Sequence, residues 1–482
     1  VGVPDVVAAI DFGGSGLRAA AYDHDGRRVA LARRRWSGHP AEGTDHGTEF
    51  DGAQAWALVA DALAEATSGH RVRGIGVTAV RLGCALIGDD GEVYCGPNVD
   101  GRGRAEGLEL WRAHGDTLYR LSGHAPPVAS ASARLLWFAR HQPGRLARAR
   151  HLVSLEGWLA WRLTGTAAGE PSACAASGLL DVHRRGWSPD LCAMTGADAR
   201  LLPPMYASGS PVGDAGGVPV TIAGGDTHAG LLALGALDPG TAGIVAGATA
   251  PLMAVSDHWV HDDAARCWTE PHPLEGRWVV ESNIGEVGGP AEWVASLLGA
   301  DVADLDALVA ASPPGAGGVV AFLGPMAMHS TNMPLLRRGG IDMVLAYGAR
   351  PSRADIARAF VENVAFALRT ARTWAAAPVG AEPSLRLGGG VSRLRSLAQV
   401  LADVTASEVL VADDPEVTLR GAAAAAATAA GWHASLREAA TAFATPLTPV
   451  APQGPDVYDA LFAAWTAAAE ERVLARFSDL PG

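Results

Sequence analysis

The sequence predicts an α/β protein built in two halves. Three observations carry this. Short apolar strands alternate with longer helical patterns along most of the chain. The stretch "IDFGGSGLRAAAYDHDGRR", from Ile10 to Arg28, runs strand, glycine turn, strand. After Asp238-Pro239-Gly240 the same pattern restarts: a strand at Ala242–Ala246, the small-residue turn "GATA", and a strand at Leu252–Val255. The restart divides the chain into residues 1–240 and 241–482.

The elements follow in order. Val6–Asp11 reads as a buried strand and Phe12–Gly16 as a turn. Leu17–Asp23 fits strand or helix by pattern, and Asp25-Gly26 favours a hairpin into Arg28–Arg34. The glycine loop therefore leads into a strand, whereas a dinucleotide fingerprint or a P-loop leads into a helix. Ala53–Thr67 has helical spacing, and Val72–Val77 is a strand. Ala85–Ile87 and Val93–Cys95 flank a turn. Ala105–Leu121, Ala133–Arg148 and Leu155–Leu163 are helical candidates. Pro219–Ala223 is a strand that enters "GGDTHAG", followed by a helix at Ala229–Leu234. In the second half, Ala354–Ala377 is a long helix, and Leu385–Leu387 a strand that enters "GGGVSR". Leu394–Thr405 is a helix, Glu408–Val411 a strand and Leu419–Gly431 an alanine-rich helix. Pro446–Pro455 reads as a proline-rich linker to a last helix, Asp456–Phe477.

Composition narrows the chemistry. The 482 residues carry a net charge of −13 with no basic run, so neither nucleic acid nor an acidic membrane is an expected partner. No apolar stretch reaches the roughly 20 residues of a membrane span. The five cysteines are widely spaced and form no CxxC pair, so each is expected to be a buried small hydrophobe in a cytoplasmic protein. All 38 basic residues are arginine. With no lysine, a Walker A loop, a protein-kinase strand lysine and a Schiff-base lysine are all excluded.

Five segments in order and spacing resemble the FGGY carbohydrate kinases. "AIDFGGSGLRAAAYDHDG" is similar to the first phosphate loop and "VTIAGGDTHAGLLALGAL" to the catalytic segment. "GIVAGATAPL" is similar to the second phosphate loop, "LRLGGGVSRLRSLAQVLADV" to the adenosine segment, and "PEVTLRGAAAAAATAAG" to the helix after it. The resemblance implies a two-domain actin/hexokinase-like (ribonuclease H-like) fold with the active site in the interdomain cleft. It also implies ATP and Mg2+ as cofactors, and a hydroxyl of a small polyhydroxylated substrate as acceptor. "TAVRLGCALIGDDGEVYCGPNVDGRG" looks most like the autoinducer-2 kinase branch. A homodimer stays open beside a monomer. Two other readings also stay open: a cyclitol or deoxy-sugar kinase of a specialised pathway, and an actin- or chaperone-like nucleotide-switched ATPase.

Site residues follow from matching positions. Without lysine, phosphates must be held by Mg2+, backbone N–H groups and arginine. Backbone N–H groups in a tight turn form an anion nest. Gly13, Gly14, Ser15, Gly16 and Arg18 match the first loop, and Gly247, Ala248 and Thr249 the second. Gly388, Gly389, Gly390 and Ser392 match the adenosine segment. Asp11 matches a Mg2+ carboxylate, although an Asp in that place also caps a turn. Asp226 matches the general base and a substrate contact, although it would also serve as a helix N-cap. Arg81, Asn98, Asp100 and Arg102 are candidate substrate contacts, with a salt-bridge cluster as the plain alternative. Thr227 and His228 are further candidates for the pocket wall. Four positions depart from the family: Gly14 and Ala248 stand where Thr is usual, Arg134 stands where many members have Lys, and Leu82 stands where glycerol kinases have a substrate-binding Glu. Leu82 removes an acceptor, so glycerol is expected to be a poor substrate, and the true acceptor to be less polar beside Leu82.

Overall fold

In the computed structural model, residues 3–14, 16–343, 350–476 and 479 are described. Ser15 of the first loop and Phe477 of the expected last helix lie outside them.

The first sheet grows from an antiparallel meander of β1 (Asp5–Phe12), β2 (Gly16–Tyr22) and β3 (Arg28–Arg35). The hairpin expected at Asp25-Gly26 is present, with Gly26 at φ +69° and its N–H donating to the Asp23 carbonyl (3.1 Å). α1 (Gly52–Thr67) starts on Asp51, whose carboxylate accepts from the N–H groups of Ala53 and Gln54 (2.8 and 3.0 Å). It returns the chain to β4 (Arg71–Ala79), parallel to β1. A long insertion follows, with its own three-stranded sheet (Cys84–Gly88, Gly91–Gly96, Ala149–Ser154). α2 (Leu155–Thr164), β5 (Gly213–Ala215) and β6 (Val218–Ile222) complete the lobe, and α3 (Asp226–Ala233) leaves it. The strand order is β5-β6-β4-β1-β2-β3.

The second sheet contains β7 (Thr241–Val245), β8 (Thr249–Ser256), β9 (Trp268–Pro271), β10 (Trp278–Glu286), β11 (Ser384–Gly388), β12 (Val409–Ala412) and β13 (Leu447–Val450). Its order is β9-β10-β8-β7-β11-β12-β13. Without the edge strands, both sheets have one plan: β3-β2-β1-β4-β6 and β10-β8-β7-β11-β12. In each, a meander is extended by parallel strands on the far side of the first strand. This is the duplicated α/β plan of the actin/hexokinase-like fold.

β1 is buried from Val6 to Phe12 because helices cover both faces. Ala8, Ile10 and Phe12 pack toward α1 and α2, where Phe12 stacks on Trp36 at 4.7 Å and meets Trp158 edge-on at 5.5 Å. Val7 and Ala9 face α6 (Val417–Ala429), a helix from the far end of the chain. The approach of α6 is close. A Cβ on Gly76 would lie 2.0 Å from the Ala422 carbonyl, and one on Gly421 would lie 1.8 Å from that of Ala229. α4 (Arg353–Val379) and α5 (Arg395–Thr405) pack on the second sheet.

Three expectations change. Ala133–Arg148 is not one helix: helix Ala131–His141 stops before Pro143, a short turn of helix spans Pro143–Leu146, and a strand begins at Ala149. The expected linker Pro446–Pro455 contains β13, where Pro449 is tolerated because the strand lies at the sheet edge. The last helix is Tyr458–Glu471 and gives way to a strand at Val473–Arg476. The five cysteines are free and buried, as expected.

Candidate active site

The site forms where the strand ends of both sheets meet. Asp226 opens α3 directly after "GG", with Gly225 in extended conformation and Gly224 at φ +105°. Its own carboxylate accepts from the Thr227 N–H (2.8 Å), so the residue does secure a helix start. Burial pushes its carboxyl up to about 6. Arg81 opposes that shift, and Asp11 adds to it by like-charge repulsion.

Asp11 is the last residue but one of β1 and is 1% exposed. One carboxylate oxygen accepts from Arg18, while Oδ1 is buried without a hydrogen-bond partner. Burial raises its pKa, against the pull of Arg18. An orphaned buried carboxylate oxygen beside a second carboxylate fits Mg2+, which takes one or two protein carboxylates and keeps several waters. Among the described residues no three acidic, histidine or cysteine side chains gather as a full metal cage. Arg18 is committed twice, to Asp11 and to Glu416 (2.6 Å) at the start of α6. Arg33 donates to the other Glu416 oxygen (2.6 Å).

The glycines of the three loops divide into two kinds. A Cβ on Gly13 would lie 3.0 Å from the Gly16 carbonyl, and one on Gly16 would lie 3.3 Å from that of Arg34. Gly389, at φ +93°, would meet the Ala246 carbonyl at 2.4 Å, and Gly388 would meet Val417 at 2.8 Å. Packing requires Gly388 and Gly389, and leaves only tight contacts for a side chain at Gly13 and Gly16. Gly247 and Gly390 border open space, and neither has a positive φ. Room is kept beside them for something other than protein. The two loops are joined: the Val391 N–H donates to Ala246 (3.0 Å), and the Ala246 N–H to Gly388 (2.8 Å). Ala248 and Thr249 are exposed, and the Ala248 carbonyl accepts from Val287 (2.8 Å). Ser392 donates to the Gly389 carbonyl (2.7 Å) and closes the turn.

The four expected substrate residues separate into two places. Arg81 packs against Gly225, next to Asp226. Its guanidinium donates to Glu270 (2.8 and 3.1 Å) on β9 and to Glu281 (2.7 and 3.0 Å) on β10. Glu270 also lies 2.6 Å from His228 and 2.8 Å from His124. Burial would raise Glu270, but Arg81, His228 and His124 outweigh it and hold it well below the usual carboxylate range. Asn98 stands half-buried beside Gly14, its Oδ1 3.7 Å from where a Cβ there would be.

Asp100 and Arg102 are elsewhere. Asp100 is 1% exposed and accepts from Tyr94, from the Arg102 Nε (2.7 Å) and from the Thr48 N–H (2.9 Å). Arg102 also donates to Glu49 (2.7 Å) and lies over the rings of Tyr94, Phe138 and Trp137. Both are thus tied into the salt-bridge cluster that stood as the plain alternative, with Thr48 and Glu49, which precede the insertion, among their partners. Sequence reasoning missed Glu270, Glu281, His124 and Glu416. One signal was available: Glu281 interrupts the apolar run Trp278–Val280 of a strand, where a charge needs a buried partner.

Residues 6–233 match the N-terminal domain of the FGGY family of carbohydrate kinases, and residues 239–430 match its C-terminal domain. An autoinducer-2 kinase of Salmonella paratyphi B is 28% identical over 467 residues, covering 89% of this chain and 87% of that protein. The ligand-bound xylulose kinase of Lactobacillus acidophilus superposes with a TM-score of 0.85 at 16% identity, over 97% of this chain and 98% of that one. The glycerol kinase of Plasmodium falciparum with ADP gives 0.83 at 17% identity, over 98% and 99%. With the shared sheet plan, the paired loops and a basic Asp at the start of α3, the chain belongs to the FGGY family of carbohydrate kinases and is a phosphotransferase with an alcohol group as acceptor.

Proposed function

We propose that this enzyme transfers the γ-phosphoryl group of ATP to a hydroxyl of a small polyhydroxylated substrate, with Mg2+ as cofactor. Residues 1–240 and 241–482 are read as the two lobes around the cleft, α6 excepted. The carrying observation is Asp226. A carboxyl raised to about 6 is ionised at neutral pH, yet basic enough to take a proton from a hydroxyl. It removes that proton as the bond to phosphorus forms. Arg81, beside it, keeps the ionised form accessible.

Phosphoryl transfer proceeds through a loose transition state, so the remaining residues position and balance charge. Asp11, through its unpartnered Oδ1, is the Mg2+ carboxylate; the ion would supply charge neutralisation at the transferring phosphate. The Gly13 and Gly247 N–H groups close their own turns (2.9 Å each), and the other backbone N–H groups of the loops Gly13–Gly16 and Gly247–Thr249 are the ones offered to the phosphates. The open space at Gly390, closed behind by Ser392, accommodates the nucleoside end. Ser15 keeps its expected place in the first loop by sequence alone. Asn98 is read as a polar contact at the mouth of that loop.

Similarity to autoinducer-2 kinases makes their substrate class a candidate acceptor beside pentuloses and polyols. A cytoplasmic location is supported by the five free cysteines. Among the described residues, no helix is long and apolar enough to cross a membrane. The test is a coupled ADP-release screen across pentuloses, hexuloses, polyols, cyclitols and the autoinducer-2 precursor. Mg2+-dependent turnover with at least one acceptor is expected. ATP hydrolysis that no acceptor accelerates would overturn the reading in favour of a nucleotide switch.

A further inference from the structure

We infer that the acceptor carries a compact apolar substituent, and that a carbon-lined cavity beside Arg81 receives it. This rests on the kinase reading and specifies its substrate.

The cavity encloses about 140 Å³ and draws its walls from both lobes. Leu82, Pro127 and Ala129 come from the first lobe; Trp268, Met328 and Met333 come from the second. Leu82 follows Arg81 directly, and Glu281, which Arg81 grips, forms part of the wall. The cavity is thus attached to the side chain that packs beside Asp226. Leu82 itself has φ +68°, a conformation a bulky residue adopts only where its surroundings enforce it. The backbone holds an apolar side chain at this wall against its own preference.

Most polar atoms along the wall are already engaged; the His124 Nε2, which makes no hydrogen bond, lies 2.8 Å from Glu270. Ser122 donates to the Leu118 carbonyl (2.7 Å), and Ser130 to that of Pro127 (2.8 Å). The Trp268 Nε1–H donates to the Ala125 carbonyl (2.9 Å). Glu281 accepts from Arg81 and from the Asn283 amide (3.3 Å), and the Asn283 carbonyl accepts from Gly285 (2.9 Å). A hydroxyl buried here would displace one of these bonds or go without a partner. A methyl, short alkyl or ring meets no such obstacle. An apolar cavity of roughly 150 Å³ stays dry and admits a benzene-sized guest, which bounds the substituent from above. Methyl-bearing and deoxy acceptors are therefore favoured over fully hydroxylated ones, and the same wall would admit a phenyl group.

The experiment has two readouts. Turnover is measured on a constant vicinal diol with a growing tail: glycerol, butane-1,2-diol and 3-phenylpropane-1,2-diol. Xylulose and 1-deoxyxylulose are run as a second pair. In the wild-type enzyme kcat/KM is expected to rise at least about tenfold from the hydroxyl-ended to the apolar member. Leu82→Glu is expected to reverse that order. Binding is read independently by ligand-observed NMR with benzyl alcohol, which should bind the wild type and lose its signal in Ala129→Phe and in Leu82→Glu. Both variants are first checked by thermal melting, and either one alone suffices if the other fails to fold. Equal or better use of glycerol and xylulose overturns the inference, as does benzyl alcohol binding that neither variant weakens. If no acceptor in the full screen is phosphorylated while benzyl alcohol binds and both variants abolish it, the kinase reading fails and the cavity stands.

Discussion

Arg81 and Arg102 invite comparison because the sequence presents both as candidate substrate contacts. Arg102 takes its partners, Glu49 and Asp100, from 53 and 2 residues away, all within the first lobe. Arg81 takes Glu270 and Glu281 from 189 and 200 residues away, on the second sheet. The first is a brace whose geometry is independent of how the lobes sit. The second is a clamp between lobes, packed against Gly225 beside Asp226, the proposed general base. An arginine that spans the cleft couples lobe position to the charge environment of Asp226; one that stays within a lobe does not.

The largest expected effect tests the catalytic end of that clamp. Asp226→Asn should fold, bind nucleotide and lose about 10²–10⁴-fold in kcat, the usual contribution of a general base. Steady-state kinetics with the best acceptor of the screen checks it; near-wild-type turnover would leave Asp226 as a helix start only.

Arg81→Met comes next. It leaves Glu270 only His228 and His124 and Glu281 only the Asn283 amide, and removing the cation of a buried pair costs about 3–5 kcal/mol. Urea unfolding should register the loss. Adding Glu270→Gln and Glu281→Gln should recover most of the stability but not the turnover. Recovery of both would make Arg81 a brace like Arg102.

Arg102→Leu should cost less, about 1–3 kcal/mol, because Asp100 keeps Tyr94 and the Thr48 N–H, and Glu49 keeps Arg145 (2.7 and 2.8 Å). Below its lowered melting temperature, kcat and the acceptor KM should match wild type. A rise of tenfold in acceptor KM would return Arg102 to the substrate site.

The smallest effect is a pH dependence. The folded Asp226 binds its proton more tightly than an unfolded Asp does, its pKa raised from the ordinary 3.8 up to about 6. Between those values the folded state holds more protons, so stability contributed by this group falls as pH rises through the window and is flat above it. Asp226→Asn should therefore gain about 1–3 kcal/mol relative to wild type at pH 7–8, and little below pH 4. The kcat of wild type should fall on the acid side, below about pH 6. Identical stability profiles for the two proteins would mean that burial does not shift this carboxyl.

How far the sequence reached follows the same division between local and distant partners. The glycine loop entering a strand was legible from Asp25-Gly26 alone, because a hairpin turn has a local chemical signature. The helix break at Pro143 carried its signal too, but the apolar spacing on both sides masked it. β13 was misread because its prolines speak against a strand, and only its edge position, set by β12 across the sheet, tolerates them. In the site, Asp11, Asp226 and the loop glycines lie in contiguous motifs and could be named. Glu270, Glu281 and His124 could not, since nothing near them in the chain states which cation they face. Asp100 and Arg102 show the reverse: their motif was legible, but not the partners Thr48 and Glu49, 52 and 53 residues away, that take up their polar atoms.

α6 has a consequence for the order in which this protein can be made. The face of the first sheet that carries Val7, Ala9, Ala20 and Tyr22 is covered by Leu419, Ala422–Ala427, Ala439 and Phe443. On the ribosome, the first lobe's strands emerge long before the residues that seal them. For the synthesis of some 200 residues beyond β6, that apolar face has no native cover. The small residues that permit the close fit of α6 leave no room for a substitute helix of larger side chains. A nascent chain in this state is the kind that collects chaperones or aggregates. A fragment ending at residue 240 should behave as that intermediate does, and adding residues 417–443 in trans should rescue its solubility.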